Sequence, residues 1–179
     1  MQALLALSRL IDSTNTRCGK AAAWLVLVAV LISAGNAVMR KAFSISSNGF
    51  LEMQWYLFAG IFLLGGGYTL LLQEHVRIDL LYSRFSRRTQ VCIDIFGTVF
   101  FLLPFAALLA RLSWPYFLGA WQSAEHSPNA GGLILWPVKV LIPIGFVLLF
   151  AQGVSEIIKR IAFLNGVAPD PGSLSDKAA

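Results

Sequence analysis

The sequence predicts an all-α integral membrane protein with four transmembrane helices, a short amphipathic surface helix, and both termini in the cytoplasm. Three observations predict it. Of 179 residues, 57% are hydrophobic and 13% charged, against about 25% charged in soluble domains. The apolar residues collect in four runs, each near the ~20 residues a helix needs to cross the hydrocarbon layer. Lys and Arg are distributed unevenly around those runs. A backbone in lipid must satisfy its own polar groups, and a helix does so within one segment.

Residues 1–20 form an N-terminal cytoplasmic segment of mixed character, with Leu4, Leu7 and Leu10 beside Arg9, Asp12 and Arg17. A short surface helix suits it. Residues 21–39 make the first span. A signal peptide is the rival reading, because Lys20 precedes the run and Gly35-Asn36-Ala37 resembles a cleavage site. The length of the run and the three spans after it favour a retained helix.

The second span covers residues 50–72. After it, Ile78, Leu81, Tyr82 and Phe85 repeat at i, i+3, i+4, i+7, with arginines elsewhere on the wheel. This predicts the surface helix at about 76–86, holding the bundle at fixed depth. The third span covers 91–112, with Pro104 inside it as an expected kink. Trp114, Tyr116 and Trp121 follow, as aromatic residues do at a membrane boundary. Residues 122–132 make a polar loop with Ser127-Pro128-Asn129 as turn chemistry. The fourth span covers 135–158, with Pro143-Ile144-Gly145 as an expected bend. The membrane domain is thus 21–160, and 161–179 reads as a flexible cytoplasmic tail.

Ten of the 14 Lys and Arg residues lie before the first span, between the second and third, or after the fourth; Arg40, Lys41, Arg111 and Lys139 make up the rest. The positive-inside rule then puts both termini in the cytoplasm. The net charge of +5 belongs to these flanks and to membrane lipids, and no dense basic run with interleaved aromatics points to nucleic acid.

Several residues stand out as structural or interaction candidates. Glu52, read in the first turn of span two, either compensates the helix N-terminus or pairs with Arg40, Lys41, Arg111 or another chain. Gly65, Gly66 and Gly67 sit together in an apolar helix, where small residues let a second helix approach, in this chain or another. Glu74, His75, Arg77 and Asp79 cluster where the span ends and, with Arg84, turn the chain onto the surface. Asp94 and Arg111 lie near opposite ends of span three, roughly 25 Å apart, and so do not pair together. Asp94 looks for Lys20, Arg88 or Lys159, and Arg111 for Glu52 or Glu125. Lys139 sits in the first turns of the fourth span, which Trp136-Pro137 opens. Arg40, Lys41, Glu125 and His126 mark the outer face as docking candidates.

No catalytic, cofactor or metal site is predicted. The glycine triplet is not followed by Lys and Ser or Thr, and no nucleophile–base set occurs. Cys18 and Cys92 have neither disulfide nor zinc spacing. His75 and His126 fall at opposite faces, about 30 Å apart, too far to share a haem. No internal repeat is visible, whereas many complete transporters are built from repeated halves. The residues alone describe an accessory membrane subunit, with a stand-alone channel, a redox anchor or an assembly factor as alternatives.

One resemblance narrows this. The run Glu52-Met53-Gln54-Trp55-Tyr56-Leu57-Phe58, Leu64-Gly65, Tyr68, then Glu74-His75-Val76-Arg77-Ile78-Asp79 resembles the DctQ-type small permease subunit of tripartite ATP-independent periplasmic (TRAP) transporters. Trp136-Pro137-Val138-Lys139, Ile142-Pro143-Ile144-Gly145-Phe146 and Gln152 continue the resemblance, which spans residues 20–160. It implies a bacterial inner-membrane complex with a large DctM-type permease subunit and a DctP-type periplasmic substrate-binding protein. A sodium gradient would drive uptake of an organic acid. The small subunit would extend the fixed scaffold against which the large one moves.

Overall fold

A computed structural model of the chain describes residues 1–44, 47–73 and 85–169. Four helices among them are long and apolar enough to cross a membrane: α1 (Gln2–Phe43), α2 (Asn48–Leu71), α3 (Arg87–Gln122) and α4 (Trp136–Leu164). No strand forms among the described residues. The predicted surface helix at 76–86 lies outside them except for its last two residues, as do Glu74, His75, Arg77, Asp79 and Arg84.

Helix α1 differs from expectation. Its 42 residues amount to about 63 Å, roughly twice the hydrocarbon thickness. Residues 2–20 continue into the span without a break, where a separate surface helix was expected. No proline interrupts the run, and its buried residues Ser8, Asn15, Gly19, Ala22 and Ala29 keep one small or polar stripe along the whole rod. A strict seven-residue step links four of them, the spacing that keeps one face on a neighbour. Ser44, with φ 57°, turns the chain out of the helix, and its N–H bonds back to the Met39 carbonyl.

Helix α2 runs antiparallel to α1. Gly60 sits against Leu25, and a Cβ on Gly67 would overlap the Asn15 side chain. Conversely, Tyr68 lies where a Cβ on Gly19 would be. Helix α4 is the hub, packed against α1, α2 and α3. Its Gly145 admits the Leu63 backbone of α2, and its Gly153 admits Leu102 and Leu103 of α3.

The two proline effects appear one turn upstream of the prolines. In α3, residues Thr98–Leu102 form a π-turn just ahead of Pro104, whose ring crowds the carbonyl four residues back. In α4, the helix breaks at Val140, because Pro143 has no N–H to offer the Lys139 carbonyl. The next bond, Ile144 N–H to Val140, is stretched to 3.4 Å.

The helices leave two ends. The loop end carries residues 123–135. The terminal end carries the start of α1 and the close of α4.

Candidate functional site

At the loop end, the connection between α3 and α4 is a pinned hairpin. Ser127 N–H donates to the Leu133 carbonyl at 2.9 Å, and Leu135 N–H to the Glu125 carbonyl at 2.8 Å. Gly131 takes φ +73°, a left-handed position suited to glycine. Glu52 reaches into this loop from α2. Its carboxylate accepts from the Ser127 hydroxyl, from Asn129 Nδ2 at 2.8 Å and from Leu133 N–H at 2.7 Å. The helix begins at Asn48, so Glu52 lies just past the first turn rather than in it. Loop donors therefore occupy the carboxylate that the sequence assigned to a helix end or a cation.

Further tethers run beside it. Tyr56 hydroxyl donates to the Ile134 carbonyl at 2.9 Å, and Asn48 Nδ2 to the Ala130 carbonyl at 3.0 Å. Lys139 is buried. Its ammonium pairs with Glu125 at 2.5 Å and sits 4.1 Å from the Tyr116 ring centroid. Trp121 and Trp136 stack edge to face, 4.5 Å apart. The surface left outward is small and polar, with His126 exposed and its Nδ1–H turned back to the Ala124 carbonyl. Arg40 and Lys41 are exposed in the last turn of α1, where cations complement the carbonyl end.

At the terminal end, α1, α3 and α4 are joined by a polar network that sequence reasoning passed over. Ser155 hydroxyl donates to Asp12 Oδ1 at 2.7 Å and meets the Ser8 hydroxyl at 2.7 Å. Gln152 divides its amide hydrogens between Asp12 Oδ1 at 2.9 Å and Glu156 Oε1 at 3.2 Å. Its oxygen accepts from Asn15 Nδ2 at 2.8 Å. Lys159 bridges Asp12 and Glu156. Arg160 joins Glu156 at 2.5 Å to Asp94 at 3.3 Å. Asp94 thus pairs with Arg160, the neighbour of the Lys159 expected for it. Gln152, Ser155, Glu156 and Arg160 are all buried; charges taken out of water need such mutual satisfaction.

The glycine triplet divides. Gly67 meets Asn15, while a Cβ on Gly65 or Gly66 would meet nothing within 4 Å. Arg111 meets neither Glu52 nor Glu125, both already engaged. It is exposed on α3.

Two polar clusters, one at each end of a four-helix apolar bundle, can hold helices and a loop in register. A family model described as tripartite ATP-independent periplasmic transporters, DctQ component, matches residues 20–163. The chain belongs to the DctQ family. It is a small membrane component of a TRAP transporter, and a DctQ component works with a larger membrane component and a binding protein. DctQ is a family of transporter components, not of enzymes. No curated protein and no solved structure matches the chain. In this DctQ chain the match takes in Asp94, Gln152, Glu156, Lys159 and Arg160 but starts after Ser8, Asp12 and Asn15. The signal for the missed cluster lay in α4 itself, where Gln152, Ser155, Glu156 and Lys159 stand at i, i+3, i+4, i+7. That is one helix face, polar in an otherwise apolar helix.

Proposed function

We propose that this chain is the scaffold subunit of a sodium-driven TRAP transporter in a bacterial inner membrane. It pairs with the large DctM-type permease and takes part in uptake of an organic acid delivered by a DctP-type periplasmic binding protein. Both termini lie in the cytoplasm, and the pinned hairpin at the loop end faces the periplasm. Arg40, Lys41, Glu125 and His126 border the surface offered to the binding protein.

The observation that carries the reading is where the chain spends its polar groups. Glu52, Glu125 and Lys139 are engaged with the loop at one end. Asp12, Asp94, Glu156, Lys159 and Arg160 are engaged with one another at the other end. Groups bound in this way fix helix geometry, and a fixed bundle is what a moving transport domain needs beside it. Affinity purification of this chain with its native partners should bring the large permease along. Reconstituted alone in liposomes, the chain should move no organic acid. Sodium-driven accumulation by the isolated chain would overturn the reading.

A further inference from the structure

Arg111 is the one Lys, Arg, Asp or Glu between Asp94 and Glu125. It lies 11 residues before Gln122, the end of α3, which is about 16 Å along a helix. On its other side, the 16 residues between it and Asp94 carry no charge. An arginine so placed is costly in lipid unless it is paired or turned toward water. Yet Arg111 is exposed on the outer surface of α3, and among the described residues it makes no hydrogen bond or ion pair. The acids that might have reached it are closed to it: Glu52 accepts three loop donors and Glu125 holds Lys139.

Its surroundings are built as a groove. Arg111 stands with Ala110 and Trp114 on one wall, facing Pro143, Ile144 and Val147 of α4. The groove holds about 450 Å³ and is open to the outside of the bundle. Apart from the guanidinium its lining side chains are apolar, with only the indole N–H of Trp114 as a further donor. A helix fits such a surface, because all its backbone bonds are internal and it brings apolar side chains. The charge specifies one more feature of the occupant. A guanidinium presents a fork of N–H donors that matches a carboxylate two bonds at a time.

The geometry points to a carboxylate-bearing transmembrane helix of the large permease subunit, seated in the α3–α4 groove with its Asp or Glu on Arg111. This rests on the pairing with the large subunit given under Proposed function. An anionic lipid headgroup is the competing partner, because Arg111 stands near the end of span three, about one turn before Trp114 at the membrane boundary. The apolar α4 wall that faces it favours a helix, which brings apolar side chains and a carboxylate together.

The test is capture of the large subunit by tagged small subunit, with all components co-expressed and then held in nanodiscs. Arg111→Glu should lower capture at least tenfold, because it sets two carboxylates face to face. Arg111→Lys, which keeps charge but not the fork, should fall between Arg111→Glu and the native chain. Among the described residues Arg111 has no side-chain partner, so the yield and helical content of Arg111→Glu alone should match those of the native chain. Capture by Arg111→Glu at the native level would overturn the inference and leave the pairing standing. A defect that disappears in nanodiscs of phosphatidylcholine alone would assign Arg111 to an anionic lipid and also overturn it. No capture by the native chain would instead sink the pairing itself.

Discussion

Asn15 and Gln152 meet amide to amide, nitrogen to oxygen at 2.8 Å, with both side chains wholly buried. This contact orients everything around it. Because the Gln152 nitrogen serves Asp12 and Glu156, its oxygen must face Asn15, and the Asn15 oxygen must face α2. Gln152→Leu would leave two carboxylates short of a donor and the Asn15 nitrogen short of its closest acceptor. Each buried group left unsatisfied costs about 1–3 kcal/mol. We expect a loss of about 3 kcal/mol, measured as a lower unfolding midpoint in detergent. A midpoint within a degree of native would mean the network is dispensable.

Among the described residues the Asn15 oxygen has no hydrogen-bond donor, and it rests on Gly67, where a Cβ would overlap it. Cα–H groups make weak contacts of this kind at helix interfaces. Gly67→Ala should therefore push α1 from α2 and destabilise by about 1–3 kcal/mol, as overpacking does. Gly65→Ala and Gly66→Ala enter open space and should be neutral or gain up to about 1 kcal/mol of helix propensity. Three neighbouring substitutions thus give opposite signs, and their unfolding midpoints read them directly. Equal destabilisation at all three positions would refute the assignment.

The same triplet shows where sequence reading stops. Four apolar runs are legible because their length is set by the bilayer. Three adjacent glycines announce close packing, but each helix residue turns about 100°, so they point to three different faces. Only the rotation of α2 against α1 decides that Gly67 is the one in contact. Asp12 and Asn15 were hidden for a related reason. They sit in a stretch whose mixed composition resembles a surface segment, and nothing local shows that α1 continues through it. In the sequence Lys159 and Arg160 stand as flanking charges after span four, and only the packed helices show the polar face they share with Gln152 and Glu156.

Glu52 offers a prediction at the other end. Its position near a helix start suggests a dipole role, whereas its partners come from a loop more than 70 residues away. Hydrogen bonds to a charged group contribute about 1.5–3 kcal/mol each. Glu52→Ala should release residues 127–133, raising the rate of protease cleavage there by tenfold or more while the helices stay intact. Glu52→Gln keeps one acceptor oxygen and should give a smaller rise. Cleavage at the native rate in Glu52→Ala would show that the other tethers hold the loop unaided.

Lys139 and Glu125 test those other tethers. The ammonium is buried, paired at 2.5 Å and set over the Tyr116 ring, so it is held more firmly than an exposed ion pair. Replacing Glu125 by Gln leaves the buried cation with a neutral acceptor and an aromatic face but no counter-charge, a costly state. Glu125→Gln should therefore destabilise by about 2 kcal/mol or more, and Lys139→Met by less, because Glu125 is partly exposed and regains water. The double variant should lose less than the sum of the two single losses, by a coupling of about 1–3 kcal/mol in a double-mutant cycle. Simple additivity would mean the pair contributes nothing specific, and the hairpin would then depend on Glu52, Tyr56 and Asn48.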